Sequence, residues 1–345
     1  MRLLVLGGTE FAGRAVVEAA LGRGWDVTVF NRGRHDPVPG ARVLTGDRTA
    51  SDGLAALAGH EGEWDAVVDT WSSEPVAVDR TARLLRGRAR RYVYVSSCSV
   101  YAWAPPAGYT EDAPLVEGAE PGAGHTDYLR DKRGGELAAV AAFGADRSVL
   151  VRAGLILGPH ENVGRLPWWL TRTARGGPVL APGPRDLPLQ YVDVRDLAEW
   201  ILGAVEQELS GPFNLMSPQG HSTMGELLDA VVRVTGADAE LRWVEPQVIL
   251  DAGIEPWTQL PVWVPPGTDM HDALHAADVS RAVATGLECR PVADTVADTW
   301  AWLREIGGTA PQRPDRTRKG LDAEVEAKVL AVVEGAAGGV LGTTP

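Results

Sequence analysis

Lysine is scarce. Lys132, Lys319 and Lys328 are the only three in 345 residues, so most of the positive charge is arginine. Positive charge is also outweighed: 33 Lys and Arg face 46 Asp and Glu, a net charge of −13. Nucleic-acid binders draw affinity from neutralising phosphates with basic side chains, so this deficit argues against a nucleic-acid partner. It argues equally against an anionic membrane surface. Two cysteines, Cys98 and Cys289, cannot build a disulfide framework or a four-ligand zinc site. No apolar run approaches the roughly 20 residues of a membrane-spanning helix. The first residues read as a strand and not as a cleavable leader, so a reducing cytoplasm is the expected location.

What is present suits a folded protein. Hydrophobic residues make up 45% of the chain, enough for a core, and the length suits two domains of about 150 residues each. Short apolar runs at 2–6, 26–30, 42–45, 65–69, 91–96 and 148–153 alternate with helical patterns at 11–23, 51–58, 74–85 and 127–143. That alternation predicts an α/β fold, a doubly wound parallel sheet of Rossmann type with helices on both faces. After Gly154 prolines and tryptophans become frequent, as in Pro167-Trp168-Trp169 and Pro261-Val262-Trp263-Val264-Pro265-Pro266. The reading is therefore a dinucleotide-binding domain from 1–153 plus 187–216, and a smaller discontinuous C-terminal substrate domain from 154–186 plus 217–306. Residues 307–345, rich in Gly and Arg, read as a loosely attached tail.

Leu6-Gly7-Gly8-Thr9-Glu10-Phe11-Ala12-Gly13 lies between the first strand and the first helix. A dinucleotide pyrophosphate needs glycines at that turn, so that backbone N–H groups approach the phosphates and the helix packs closely. Gly7 and Gly13 keep the Gly-x-x-Gly-x-x-Gly spacing, with Glu10 in the central place. Repulsion between two anions predicts that the Glu10 carboxylate turns away from the pyrophosphate. The second strand ends in Phe30-Asn31-Arg32-Gly33-Arg34, where an NAD site has an acidic residue. Asn31 with Arg32 and Arg34 favours the 2′-phosphate of NADP over NAD, because the arginine fork matches phosphate geometry. Asp47, after the third strand, is placed to meet the adenine.

Tyr128 and Lys132 stand four apart, on one face of a helix. A phenol of ordinary pKa near 10 is a poor base at neutral pH, and an ammonium one turn away favours its phenolate. Such a pair exchanges a proton with a carbinol while a nicotinamide handles the hydride. A chance Tyr-x-x-x-Lys arises in about one such chain in twenty, by simple multiplication. Tyr94-Val95-Ser96-Ser97-Cys98-Ser99 is a strand ending in hydroxyls, at the carboxyl end where open α/β sheets bind ligands.

The order of these elements resembles the extended short-chain dehydrogenase/reductase superfamily, the NAD-dependent epimerases and dehydratases, and the form of the glycine loop resembles its atypical branch. Arg152-Ala153-Gly154, Gly158-Pro159, Gln190-Tyr191-Val192-Asp193-Val194-Arg195-Asp196 and Phe213-Asn214-Leu215 agree. The resemblance implies Ser97 as donor to the substrate oxygen with Ser99 close by, Tyr128 as acid/base and Lys132 as ribose anchor. It implies a reductase, dehydrogenase or epimerase acting on a secondary alcohol or ketone of a sugar-like or other small cyclic substrate. Departures bear on the substrate. Cys98 and Ser99 replace the Asp-Glu pair of sugar dehydratases, and Leu187-Pro188-Leu189 lacks the arginine that holds a nucleotide-sugar diphosphate. Trp71 replaces a small residue beside the nicotinamide. Further substrate contacts are read at His125 and Trp257. His271, His275 and Asp272 have no third convergent ligand, so no metal is expected. Two rivals stand: a non-catalytic NADP-binding sensor or scaffold, and an RNA-associated atypical member. A small-molecule partner is expected, with homodimer assembly left open.

Overall fold

The computed structural model describes residues 1–314 and 316–340, the last five of these as backbone only; the end of the expected tail, 341–345, lies outside the described residues. Two compact units emerge. One comprises Met1–Ile156, Tyr191–Pro218 and Ala276–Cys289; the other comprises Leu157–Gln190, Gln219–His275 and the chain from Arg290 onward.

The first unit is a seven-stranded parallel sheet of Rossmann type. Its strands are β1 (Arg2–Leu6), β2 (Asp26–Asn31), β3 (Arg42–Thr45), β4 (Trp64–Asp69), β5 (Ala89–Ser97), β6 (Ser148–Ala153) and a last strand, Gly211–Leu215. Their spatial order is the last strand, β6, β5, β4, β1, β2, β3, so the winding reverses between β4 and β1. Strand alternation sends successive side chains to opposite faces. Leu3, Val5, Val29, Val68, Val93 and Val151 pack on one face against α1 (Phe11–Gly22) and the helix Val194–Glu206. Leu4, Leu6, Phe30, Val67, Tyr92 and Tyr94 pack on the other against α2 (Ala55–Gly59), α3 (Pro75–Leu85) and α4 (Tyr128–Phe143). Burial on both faces explains why these strands read as continuous apolar runs.

Ala276–Cys289, expected in the second domain, belongs to the sheet unit. Ala282 and Leu287 join the core beside Phe213; Trp200 Nε1 donates to Ala282 O at 3.2 Å and Asn214 Nδ2 to Asp278 O at 3.0 Å. These contacts are long-range in sequence, so composition gave no sign of them.

The second unit pairs two strands, Gly177–Pro182 and Ala239–Val244, in parallel. The helices Leu166–Thr173, Met224–Thr235 and Val292–Glu305 accompany them. The expectation of a loose tail is corrected here. Leu321, Val329 and Leu330 are buried. The buried Glu326 accepts from Arg172 Nε at 2.6 Å and from Leu180 N at 3.0 Å. Among the described residues no helix is long and apolar enough to cross a membrane.

Glu326→Ala would strand the Arg172 guanidinium, whose side chain is only 9% exposed. Breaking a buried pair costs about 3–5 kcal/mol, so urea denaturation is expected to show a loss of that order. A loss below about 1 kcal/mol, the range of a surface pair, would make the segment a loose tail after all.

Candidate functional site

The glycine loop is shaped by close approach. Gly7 sits at φ +116°, and a Cβ there would lie 2.7 Å from Thr70 Oγ1. A Cβ on Gly13 would lie 2.7 Å from Gly8 N. Gly8, Thr9 and Phe11 complete the turn, with Phe11 packed against the core. Glu10 opens α1 in extended conformation without capping it. Its carboxylate is about half exposed and stands 3.7 Å from His35 Nε2.

At the end of β2, Asn31 Oδ1 accepts from Gly33 N at 2.8 Å, while Asn31 Nδ2 is buried without a hydrogen-bond partner. An orphaned buried donor costs about 1–3 kcal/mol, which an acceptor oxygen on a bound ribose or phosphate would recover. Arg32 and Arg34 are exposed. Asp47 accepts from Thr49 N at 3.0 Å and Thr49 Oγ1 at 2.7 Å. Those hydrogen bonds, with help from Arg32 and Arg34, hold its carboxyl below the usual range. The cradle and the orphaned amide fit a dinucleotide.

At the tip of β4 lies a buried pair that the sequence reading missed. Arg48 donates to Asp69 Oδ1 at 2.6 Å and Oδ2 at 2.7 Å, and to Thr81 Oγ1 at 3.0 Å. Tyr92 OH also donates to Asp69. Although burial opposes it, the guanidinium holds the Asp69 carboxyl below its ordinary range. Asp69 Oδ1 in turn accepts from Trp71 N at 3.0 Å. The Trp71 ring does not stand free: Arg48 lies 5.2 Å from its centroid and its Nε1 donates to Glu74 O at 3.1 Å. Nothing in the spacing of Arg48 signalled this. Its neighbour Asp47 drew the reading instead.

The Trp71 carbonyl is where the network meets α4. Lys132 Nζ donates to Trp71 O at 2.7 Å and to Val95 O at 2.6 Å, and sits 4.9 Å from the Tyr94 ring centroid. Lys132 is 3% exposed. Gly135 permits this approach, since a Cβ there would lie 2.3 Å from Tyr94 OH. Asp127 caps α4 by accepting from Leu129 N at 3.1 Å and Arg130 N at 3.0 Å. Tyr128 follows, half-buried in the first turn, with Lys132 one turn on. Burial, then the charges of Asp69 and Tyr128, push the Tyr94 phenol well up, so it stays protonated.

Ser97 ends β5, and its Oγ accepts from Ser99 N and donates to Ser99 Oγ, both at 3.1 Å. Cys98 Sγ donates to Arg152 O, and burial pushes its thiol up to about 12, so it is no nucleophile at neutral pH. His125 Nδ1 bonds the fully buried Asp131, whose other oxygen accepts from Thr126 N at 3.0 Å and Thr126 Oγ1 at 2.7 Å. Tyr128, Asp131 and Lys132 share one helical face. Asp131, which positions His125 at the start of that face, was also missed.

Residues 3–215 match the model of the NAD dependent epimerase/dehydratase family. The chain belongs to that family. The epimerase family protein SDR39U1 of Bos taurus is 28% identical over 263 residues, 69% of this chain and 82% of that protein. The Bordetella bronchiseptica enzyme WbmH, solved in complex with NAD+, superposes with a TM-score of 0.63 at 19% identity, covering 89% of this chain and 99% of WbmH. A UDP-glucuronic acid 4-epimerase from Bacillus cereus, in complex with NAD, gives 0.62 at 15% identity, covering 90% and 99%. At such identities these structures share the fold of this family member.

Three residues singled out from the sequence, Trp257, His271 and His275, lie in the family member's second unit. Trp257 sits at φ +63° with Arg165 5.5 Å from its ring centroid. The His271 and His275 rings lie 5.4 Å apart, tilted by 56°, on a short helix, and among the described residues no group of three metal-binding side chains forms. His275 Nδ1 accepts from Gln190 N at 3.0 Å. Burial, with the neighbouring His271, pushes its imidazole from 6.5 down to about 4. The folded state therefore keeps His275 neutral while the unfolded chain takes up a proton. Its stabilising contribution is full above about pH 6.5 and is lost as pH falls toward 4, by up to about 3 kcal/mol. Urea unfolding at pH 7 and pH 4.5 is expected to show a smaller acid loss in His275→Gln than in wild type. Equal losses would contradict it.

Proposed function

We propose that the protein is an NAD(P)-dependent oxidoreductase or epimerase acting on a secondary alcohol or ketone of a sugar-like or other small cyclic substrate. The observation that carries this reading is the Lys132 ammonium, buried on two strand-end carbonyls one helical turn from Tyr128. A bound nicotinamide supplies or takes up the hydride at the carbinol carbon. Tyr128 exchanges the hydroxyl proton: in oxidation its phenolate oxygen takes the proton as the carbonyl forms, and in reduction it returns it. The Lys132 cation stabilises negative charge on that oxygen and anchors the nicotinamide ribose. The Ser97 hydroxyl donates to the substrate oxygen, with Ser99 setting its direction. His125, held by Asp131, is a contact for the substrate.

Asn31, Arg32 and Arg34 favour NADP over NAD, since a donor and two cations stand where a ribose-binding carboxylate would repel a 2′-phosphate. The non-catalytic reading drew on Glu10, whose carboxylate stands beside His35 at the solvent edge. That position supports a working phosphate loop and an enzyme.

Tyr128→Phe keeps the ring and removes the proton carrier. On a cyclic alcohol identified by cofactor reduction, turnover should fall by at least about 10²-fold with cofactor binding unchanged. Retention of more than about a tenth of the activity would overturn the assignment. Arg32→Ala should weaken NADPH about five- to tenfold, the worth of one exposed charge-assisted contact, and leave NADH unaffected. Equal affinity of the wild type for both cofactors, in a nicotinamide fluorescence titration, would contradict the preference.

A further inference from the structure

His125 brings an imidazole to the start of α4 with one ring nitrogen held and the other open. The chain turns so that Nδ1 bonds Asp131, in the first turn of the helix. Asp131 is fully buried. Its other oxygen accepts from Thr126 N at 3.0 Å and Thr126 Oγ1 at 2.7 Å. A carboxylate only accepts, so Nδ1 carries the ring hydrogen and the lone pair lies on Nε2. Among the described residues Nε2 has no hydrogen-bond partner, and the side chain is 60% exposed. Tyr128 and Asp131 are three apart on α4, with Cβ atoms about 5–6 Å from each other. The imidazole bonded to Asp131 thus belongs to the helical face that carries the phenol.

We propose that His125 is a second base of this site, which takes the proton from the carbon next to a substrate carbonyl, so that the protein catalyses enolisation as well as hydride transfer. The inference rests on the oxidoreductase or epimerase reading above, which supplies the ketone. Tyr128 exchanges the hydroxyl proton in that reading, and the carbonyl so formed acidifies the C–H beside it. Neighbouring groups do not serve that carbon. The Cys98 thiol is pushed up to about 12, the Tyr94 phenol stays protonated, and the Lys132 ammonium is bonded to two backbone carbonyls. A histidine fixed through Nδ1 by a buried carboxylate and open at Nε2 has the arrangement of a general base with its orienting partner. In the step, Nε2 takes the proton, the C–H electron pair becomes the C=C of an enolate, and the carbonyl π pair moves onto oxygen, where the Ser97 hydroxyl donates. Return of a proton from the imidazolium to carbon restores the ketone. The exposed ring exchanges its protons with water, so the returned proton comes from solvent. Asp131 is the positioning residue of the pair.

Deuterium wash-in separates this step from hydride transfer. The full chain with oxidised NADP cannot reduce a ketone. Cyclohexanone and tetrahydropyranone, incubated with it in deuterium oxide, should gain deuterium beside the carbonyl faster than in buffer alone, read by mass spectrometry. The same ketones with NADPH report reduction. His125→Gln, a change on an exposed loop, should lower the enzyme-dependent exchange by at least about 10²-fold and far more than it lowers reduction. Asp131→Asn should lower the ratio of exchange to reduction, whereas a general loosening of α4 would lower both alike. A wild type that reduces these ketones without exchanging them, or a His125→Gln variant that loses both in equal measure, would overturn the second base and leave the oxidoreductase reading standing. Exchange that depends on His125 without any reduction would keep the base and overturn that reading. Absence of both activities would overturn both.

Discussion

The site depends on where one ammonium group is held. Lys132 is almost fully buried, and its Nζ is fixed by the carbonyls of Trp71 and Val95, at the carboxyl ends of neighbouring strands. A buried cation is tolerable only when fully hydrogen-bonded. Those carbonyls are in place because β4 and β5 pair in register, with Asp69 beside Tyr94 and β5 running on to Ser97. The tip of β4 is pinned in turn by Asp69, which accepts from Trp71 N and is gripped through both oxygens by Arg48. A buried ion pair thus helps set the position of the Lys132 ammonium. On the other side of Lys132, α4 comes close enough only because Gly135 carries no side chain against Tyr94.

The same arrangement distributes roles among the hydroxyls. Tyr92 and Tyr94 are both buried and both pushed well up, so neither exchanges protons at neutral pH. Tyr92 serves the Asp69 carboxylate and Tyr94 donates to Trp71 O at 3.1 Å. Tyr128, half-buried in the first turn of α4, is the phenol to which the proposed function gives the proton transfer. Departures from nucleotide-sugar relatives follow a consistent line. Cys98 is locked onto Arg152 O, and burial keeps its thiol protonated at neutral pH.

Much of the sheet unit was legible because parallel strands buried on both faces carry apolar runs, as β1, β2, β4, β5 and β6 do; β3, at the sheet edge, is mostly exposed. The helix carrying Tyr128 and Lys132 was legible too, since Asp127 is a strong cap and one lysine in an arginine-rich chain stands out. The pair Arg48 and Asp69 was not. Its partners are 21 residues apart and meet only once β4 is in place beside β1. The strands Gly177–Pro182 and Ala239–Val244 were hidden by prolines and charges that read as loop. Glu326 looked like a solvated charge on an amphipathic patch. Only the buried Arg172 opposite gives it meaning, and sequence periodicity carries no such information.

The central claim is that the Lys132 ammonium belongs to the cofactor site and is not merely a plug between two strands and a helix. The direct measurement is an NADPH titration of Lys132→Met, followed by nicotinamide fluorescence, with circular dichroism and melting recorded on the same sample. The account predicts a folded protein whose affinity for NADPH falls by at least about tenfold, the value of one charged contact to the ribose. A folded variant that binds NADPH as tightly as the wild type would contradict it.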